Sequence, residues 1–569
     1  MFYEYDIRGL QLHARFGSDS GVGTTSVYDT YGRMTSVTDN TSGISRTLQS
    51  QYLADGSRWE LKHADNQAFR YYYWPGGQFN HMTAPQGDLL VDYNYTHRGE
   101  LEEIVRDSTA PKQQWTYDPI GRMDSNFIDA PTTVFDVTWG YTRNPASQIR
   151  TETQTNDSFS WDGYVPVDRS YATNGLNQYT SVSGQAYCYD DNGNLTADGD
   201  FVYLYDVENR LVEMRAPANT DCENLAYTGQ IKAELRYDPM GRLFQVENFI
   251  SGVGQGRVTM LYDGDALVAE YNASGTMLAR YVHGPMQGVD DPIAEYGGSG
   301  VAAANRINLY TDSRGSIVLR AGATGGTPSI NTYDEYGQPS TSNVGRFQYT
   351  GQVWLPELGM YYYKARIYSP ALGRFMQTDP IGYEDNVNLY GYVGQDPVNF
   401  VDETGSNRKA VLQQLGRWGL RGLRGERVIR RSDLDDIARS VILPLQIIDD
   451  LNTIGDIILN DDADDVPDGI VGEQDDPRAG PNRSGSRWTS GPLSEANGGV
   501  GDPKEDFDTL TGGKHSAPPE GSTLPEGSRV GDNGVIYRPG NSDGGISIDI
   551  PRSGDKPRET LHYPPEEAD

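Results

Sequence analysis

Tyr237-Asp238-Pro239-Met240-Gly241-Arg242-Leu243-Phe244-Gln245-Val246 reads as one β-hairpin unit. The tyrosine closes a strand, the aspartate can accept from backbone amides in the turn, and the glycine supplies the positive φ that the turn requires. The alternating Leu243-Phe244-Gln245-Val246 begins the return strand. Clear copies are Tyr28-Asp29-Thr30-Tyr31-Gly32-Arg33-Met34 and Tyr117-Asp118-Pro119-Ile120-Gly121-Arg122-Met123, with looser ones from Tyr189, Tyr205 and Tyr333. One hairpin cannot bury its apolar face alone, so such units must stack into a continuous sheet.

Composition agrees with a turn-rich, all-β body: 66 Gly and 38 Tyr stand against 7 His and 2 Cys in 569 residues. A formal net charge of -33 argues against a surface that grips nucleic acid or anionic lipid along the whole chain, although a locally basic segment fits inside that total. Cys188 and Cys222 form no CxxC and no zinc cluster, so a structural pair or free thiols are expected rather than a metal or redox centre. Met1-Phe2-Tyr3-Glu4-Tyr5-Asp6 lacks the basic and apolar regions of a secretory signal. No apolar run is long enough to cross a bilayer, and no membrane insertion is expected.

The repeats resemble the YD repeats of Rhs proteins and of the C components of insecticidal toxin complexes. The resemblance covers roughly residues 1–405. It implies an all-β fold in which hairpins spiral into a hollow shell, here residues 1–350, with no catalytic residue in the repeats. Residues 351–405 hold a dense aromatic block, Gly359-Met360-Tyr361-Tyr362-Tyr363-Lys364-Ala365-Arg366-Ile367-Tyr368, followed by Gly373-Arg374-Phe375, Asp379-Pro380-Ile381-Gly382, Asp396-Pro397-Val398-Asn399 and Asp402-Glu403-Thr404-Gly405. This string is similar to the Rhs-associated core, which closes the shell and cuts the chain just past the second aspartate motif.

The resemblance implies an aspartyl-type self-cleavage. Two carboxylates held close do not both ionise cheaply, so one can activate water while its protonated partner polarises the scissile carbonyl. Asp379 and Asp402 are the expected pair, with Asp396 in reserve and Arg374 as a supporting charge. Cleavage is expected around Gly405, Ser406 and Asn407. The second motif departs from the family pattern, with Glu403 in place of Pro and Ser406 in place of Leu.

Past the core, residues 406–460 form an Arg-rich stretch and then a helical one from Ser432. Residues 461–502 form an acidic, Gly/Pro-rich linker without the ligand set of a calcium loop. Residues 503–569 read as a small mixed α/β domain. It has a helix near Lys504–Leu510, a hairpin through Arg529-Val530 and Val535-Ile536-Tyr537-Arg538 and a strand Ile546–Ile550, and it runs on through residues 556–563 with His562. His515 and His562 are its acid/base candidates, and Lys514, Arg529, Arg538 and Arg558 its anion-binding candidates. One His can take the 2′-hydroxyl proton of RNA, a second acid can protonate the leaving oxygen, and a cation can neutralise the transition state. No metal or other cofactor is expected. The segment resembles a polymorphic toxin family (type 37) whose predicted activity is RNase.

The reading is therefore a self-cleaving Rhs toxin carrying a nuclease, used against other bacteria or a host. The resemblance implies production in the cytoplasm, export by a dedicated system or as a toxin complex, and action in the target cell. The implied partners are a cognate immunity protein, RNA, and a delivery component such as a type VI spike or adaptor or a toxin-complex B component. The alternatives are a surface or adhesion protein with an inert tail, and a toxin of other chemistry such as an ADP-ribosyltransferase or deamidase.

Overall fold

The computed structural model describes residues 1–406 apart from 107–109, 165–167, 217–220, 226, 228, 286–289 and 385. It also describes 408–410, 480–481, 487–490, 492–494, 502–511, 515–518, 524–525, 527–531, 535–539, 546–551 and 558–563. The chain divides into two units, Met1–Ser440 and Val441–Asp569. The expected basic and helical stretch of 411–460, most of the linker, Asn407 and Lys514 lie outside the described residues.

Among the described residues, the first unit is built from two large antiparallel sheets whose strands follow chain order. One has 14 strands, from Phe2–Tyr5 to Ile149–Gln154, and the other has 13, from Cys188–Tyr189 to Ser329–Ile330. The expected all-β, hairpin-repeat fold is what is found.

The repeat motif explains why neighbouring hairpins stay in register. At Tyr237-Asp238, one Asp238 oxygen accepts from the Met240 and Arg242 amides at 2.9 Å each, and the other accepts from the Arg242 guanidinium at 2.7–2.8 Å. Gly241 sits at φ +83°, where other residues are strained. The Tyr237 hydroxyl reaches back to the Leu211 carbonyl of the preceding hairpin (2.9 Å), and Arg242 reaches forward to the Gly264 carbonyl of the next (2.6 Å). Tyr28, Tyr52, Tyr73, Tyr95, Tyr117, Tyr205 and Tyr262 repeat the backward reach. Each unit therefore pins its neighbours by side chains as well as by the strand ladder.

The two sheets share one apolar core, which takes Leu61, Phe69, Tyr93 and Trp115 from the first and Leu261, Tyr296, Tyr310 and Leu319 from the second. Buried polar links cross the same seam: Arg58–Asp263, Arg280–Asp65, and Arg106 to the Leu309 carbonyl at 2.7 Å. A second core joins the later sheet to Val353, Leu355, Met360, Tyr362 and Ile367. These belong to a four-stranded sheet, Val353–Leu355, Met360–Tyr363, Arg366–Ser369 and Arg374–Phe375. Cys188 and Cys222 are joined as a disulfide, so the structural reading holds and neither is a free thiol.

The second unit is a small mixed structure. Helix Pro503–Thr511 lies with a sheet whose strand order is Gly480–Pro481, Arg487–Ser490, Arg558–His562, Ser547–Ile550, Ile536–Arg538, Arg529–Gly531 and His515–Ser516. Its core is Leu493, Phe507, Leu510, Val535, Tyr537, Ile548, Ile550, Leu561 and Tyr563.

Candidate active site

The aromatic block folds as tight hairpins because its residues alternate around very short turns. Tyr363 pairs with Arg366 across Lys364-Ala365, with Lys364 at φ +59°. This register sends Arg366 into the interior, where its side chain is 2 % exposed and its guanidinium lies over the Phe375 ring at 3.7 Å. One nitrogen of that guanidinium, Nη2, meets both expected carboxylates: Asp379 Oδ2 at 2.8 Å and Asp402 Oδ2 at 3.8 Å. Nη1 donates to the Leu389 carbonyl at 3.1 Å, and Nε donates to the Gly405 carbonyl.

Each carboxylate also organises a turn. Asp379 Oδ1 accepts from the Ile381 amide at 3.1 Å. Asp402 ends the strand Phe400–Asp402, which pairs with Arg408–Ala410, so the chain doubles back around its carboxylate. Asp402 Oδ1 accepts from the amides of Thr404 (3.1 Å), Gly405 (2.8 Å) and Ser406 (3.3 Å). Gly405 sits at φ +72°, and a Cβ there would come within 2.3 Å of the Tyr363 carbonyl oxygen. Only glycine fits, and the fit brings the 405 carbonyl to Arg366.

Strain collects around this centre. Most of the described non-glycine residues at positive φ are Asn or Ser in hairpin turns, which tolerate it. Thr350, Lys364, Val393 and Gln395 do not fit that pattern, and all four lie between residues 350 and 395. A β-branched residue at positive φ costs on the order of 1–3 kcal/mol, and such strain gathers at working sites. Between them runs a buried hydroxyl chain, Thr350 Oγ1 to Tyr363 at 2.8 Å and Tyr363 to Tyr392 at 3.2 Å. Burial, followed by the Tyr363 hydroxyl and the Asp402 charge, holds the Tyr392 phenol well above its usual range, so it stays protonated.

Asp379 and Asp402 thus come together, and Gly405 and Ser406 sit beside them. Arg374 does not join them. It donates to the Asn177 carbonyl at 2.5 Å and stacks over Tyr179 at 3.7 Å, so the supporting guanidinium is that of Arg366. Asp396 accepts from the Asn399 amide and side chain at 2.9–3.2 Å. The one signal for Arg366 in the sequence is an arginine set among residues that otherwise alternate as buried strand, Tyr363 to Tyr368.

In the second unit, pairing separates the two histidines. Residues directly opposite in antiparallel strands share a face, and alternate residues change face. His515 pairs with Gly531, and the row continues through Val535 to Ile550, on the face that carries the core. Its ring lies 5.1 Å from Phe507, and its Nε2 meets Asp508 Oδ1 at 2.8 Å. His562 pairs with Ser547, opposite Arg538, on the other face. Its strand is the fourth from that of His515, on the order of 19 Å at about 4.8 Å per strand. They are therefore not an acid/base pair. On the His562 face, Arg538 binds Asp549 at 2.8 Å, and Asp549 accepts from the Thr560 hydroxyl at 2.6 Å. Arg529 is exposed and opposite Tyr537, and Arg558 opens the last strand.

No family model matches the chain. It is similar to TccC3-containing structures: the TcdB2–TccC3–TEV crystal structure (17 % identity, TM-score 0.50, 68 % of this chain and 24 % of that one) and the Photorhabdus luminescens Tc holotoxin pore with a TccC3 variant (16 %, TM-score 0.51, 69 % and 24 %). The first unit has the shell-type β-fold of these Rhs-like proteins. In sequence the chain is similar to the tRNA nuclease WapA of Bacillus subtilis strain 168 (27 % over 248 residues) and the tRNA3(Ser)-specific nuclease WapA of Bacillus spizizenii (26 % over 278 residues). Those matches cover 40 % and 47 % of this chain, which spans about a tenth of each relative: 9 % and 11 %. The likeness to the TccC3-containing structures is one of fold, and the likeness in sequence is to proteins named as tRNA nucleases. Among the described residues no helix is long and apolar enough to cross a membrane.

Proposed function

We propose that the chain is a toxin precursor that cuts its own backbone at Gly405–Ser406 and so frees a C-terminal nuclease. The observation that carries this reading is Arg366, whose one guanidinium engages Asp379, Asp402 and the Gly405 carbonyl together. Asp379 takes a proton from water, and the water oxygen adds to the Gly405 carbonyl carbon. The Arg366 Nε–H stabilises the oxyanion, a donor of the kind worth about 10²–10³ in rate. The Ser406 nitrogen is the leaving group, and its N–H already faces Asp402. Asp402, protonated in the reacting form, gives its proton to that nitrogen as the C–N bond breaks, leaving a Gly405 carboxylic acid and a Ser406 amine, with the water proton on Asp379; the new acid then ionises to solvent.

The released part acts, in this reading, on RNA. His562 takes the 2′-hydroxyl proton as that oxygen bonds to phosphorus, Arg538, two strands away on the same face, meets the phosphate with Asp549 fixing the guanidinium, and the 5′-oxygen leaves with a proton from solvent water. The names of the Bacillus relatives support a nuclease. The TcdB2–TccC3 pairing supports a toxin-complex B component as carrier, and a toxin made inside a cell calls for a cognate immunity protein. In denaturing electrophoresis the wild type should run as two fragments, the smaller beginning at Ser406 by N-terminal sequencing, and Asp379→Asn should stay whole. A single wild-type band, or an uncut RNA pool in cells producing residues 406–569, removes the corresponding half of the proposal.

A further inference from the structure

We propose that Lys364 and Asp290 condense to an isopeptide bond, a covalent cross-link that the first unit makes within itself once it has folded. The turn of Lys364 points there first. Lys364 and Ala365 join the strands Met360–Tyr363 and Arg366–Ser369, and Lys364 alone of the two sits at positive φ, +59°. A two-residue turn of that form favours glycine at its first position. A side chain strains the backbone there, and such strain persists where the rest of the structure uses the residue.

The use is in the interior. The Lys364 side chain is 13 % exposed, and its amine meets Oδ2 of Asp290, whose side chain is 2 % exposed. It lies 5.5 Å from the centre of the buried Tyr362 ring. Asp290 stands just before the strand Pro292–Gly297, and its Oδ1 accepts from the Leu267 amide at 3.0 Å. One carboxyl oxygen is therefore fixed on an N–H donor while the other faces the nucleophile, the arrangement that acyl transfer requires. An ion pair taken out of water gives back much of its attraction as desolvation, and an amide would remove both charges.

Burial brings the Lys364 amine down to about 8, against the upward pull of the Asp265 charge, so its neutral form is within reach near neutral pH. Passing the ammonium proton to Asp290 Oδ2 gives a neutral amine and a neutral acid. Nζ then adds to Asp290 Cγ, and the charge that gathers on Oδ1 falls on the Leu267 N–H. Asp265, exposed beside the head of the strand Ala266–Asn272, takes a proton from Nζ and hands one to Oδ2. The Cγ–Oδ2 bond breaks, water leaves, and the amide keeps Oδ1 on Leu267. Nothing is oxidised and no co-reactant is needed. The Ala365 amide donates to the Thr404 carbonyl at 3.1 Å, so the bond fastens to the second large sheet the hairpin on which the Gly405 turn rests. Both linked residues precede Ser406, and the cross-link does not depend on cleavage there.

The test is mass spectrometry of the purified full chain, denatured and with its disulfide reduced. The chain, or the fragment of it that holds both residues, should be lighter than its sequence by one water. Trypsin should release Tyr281–Arg306 joined to Phe347–Arg366, uncut after Lys364. Lys364→Arg keeps the charge and should return the full sequence mass with an unchanged circular-dichroism spectrum. Asp290→Asn should lose one ammonia instead, because the same amine then displaces the side-chain nitrogen, and Asp265→Asn should lower the joined fraction several-fold. A folded wild type at its full sequence mass, or a loss of water that persists in Lys364→Arg, would overturn the proposal.

Discussion

Replacing Arg366 by methionine leaves two buried carboxylates and the Gly405 carbonyl without their shared donor. Breaking such a buried pair costs about 3–5 kcal/mol, so Arg366→Met should lower the denaturation midpoint as well as stop cleavage. Arg366→Lys keeps the charge but cannot reach three acceptors from one planar fork. It should therefore hold most of the stability and slow fragment formation by about 10²-fold, as followed by gel densitometry. Gly405→Ala pushes a Cβ into the Tyr363 carbonyl, at roughly 1–3 kcal/mol, and should leave the chain intact. The aspartate pair was legible in the sequence because two like motifs head similar turns. Arg366 and Arg374 were not separable there, since both are arginines in aromatic strands. What divides them is the hairpin register, which turns Arg366 onto the carboxylates and Arg374 onto Tyr179. The histidines failed as a pair for the same reason: face and strand order are set by pairing across the sheet, which local composition does not encode.

The hairpin was readable from Tyr, Asp and Gly alone, because turn chemistry is local. The backward reach of the tyrosine and the forward reach of the arginine were not, since both depend on which hairpin lies alongside. They make the same motif worth different amounts in different places. Asp238 and Arg242 are buried, whereas Asp29 and Arg33 are partly open to solvent. Asp238→Ala should therefore cost about 3 kcal/mol in urea denaturation and lower the melting temperature well beyond what Asp29→Ala does. At Asp29 and Asp118 desolvation works upward but is outweighed by the amides and guanidinium of Arg33 and Arg122, so both carboxyls lie below their ordinary value. A depressed carboxyl adds stability that is present above the unfolded pKa of about 3.9 and is lost as pH falls through the folded value. Acid should open the exposed turns in that window, and hydrogen exchange at the Arg33 and Arg122 amides reports it.

Across the first unit as a whole, the seam between the two large sheets is the part most exposed to a change of charge. His63 and His283 are both buried there, beside Arg58, Asp263 and Arg280. His283 Nδ1 accepts from the Asp291 amide at 2.9 Å, so its Nε2 carries the hydrogen and donates to the Leu267 carbonyl at 2.7 Å. A second proton would set two N–H groups against each other. Burial, against the upward pull of the Leu267 bond, brings this imidazole down to about 4, and burial with the Arg280 charge holds His63 well below its ordinary value. The sign follows: the unfolded chain takes up protons first, so stability is full above about pH 6.5 and falls as pH drops toward 4. A fall of that width is worth about 3 kcal/mol from His283 alone. Urea denaturation followed by tryptophan fluorescence at pH 7 and pH 4.5 should show this loss for the wild type. His283→Gln, whose amide can donate and accept without titrating, should lose less by roughly 2 kcal/mol. An equal loss in the variant would move the acid sensitivity to His63 or to the carboxylates of the seam.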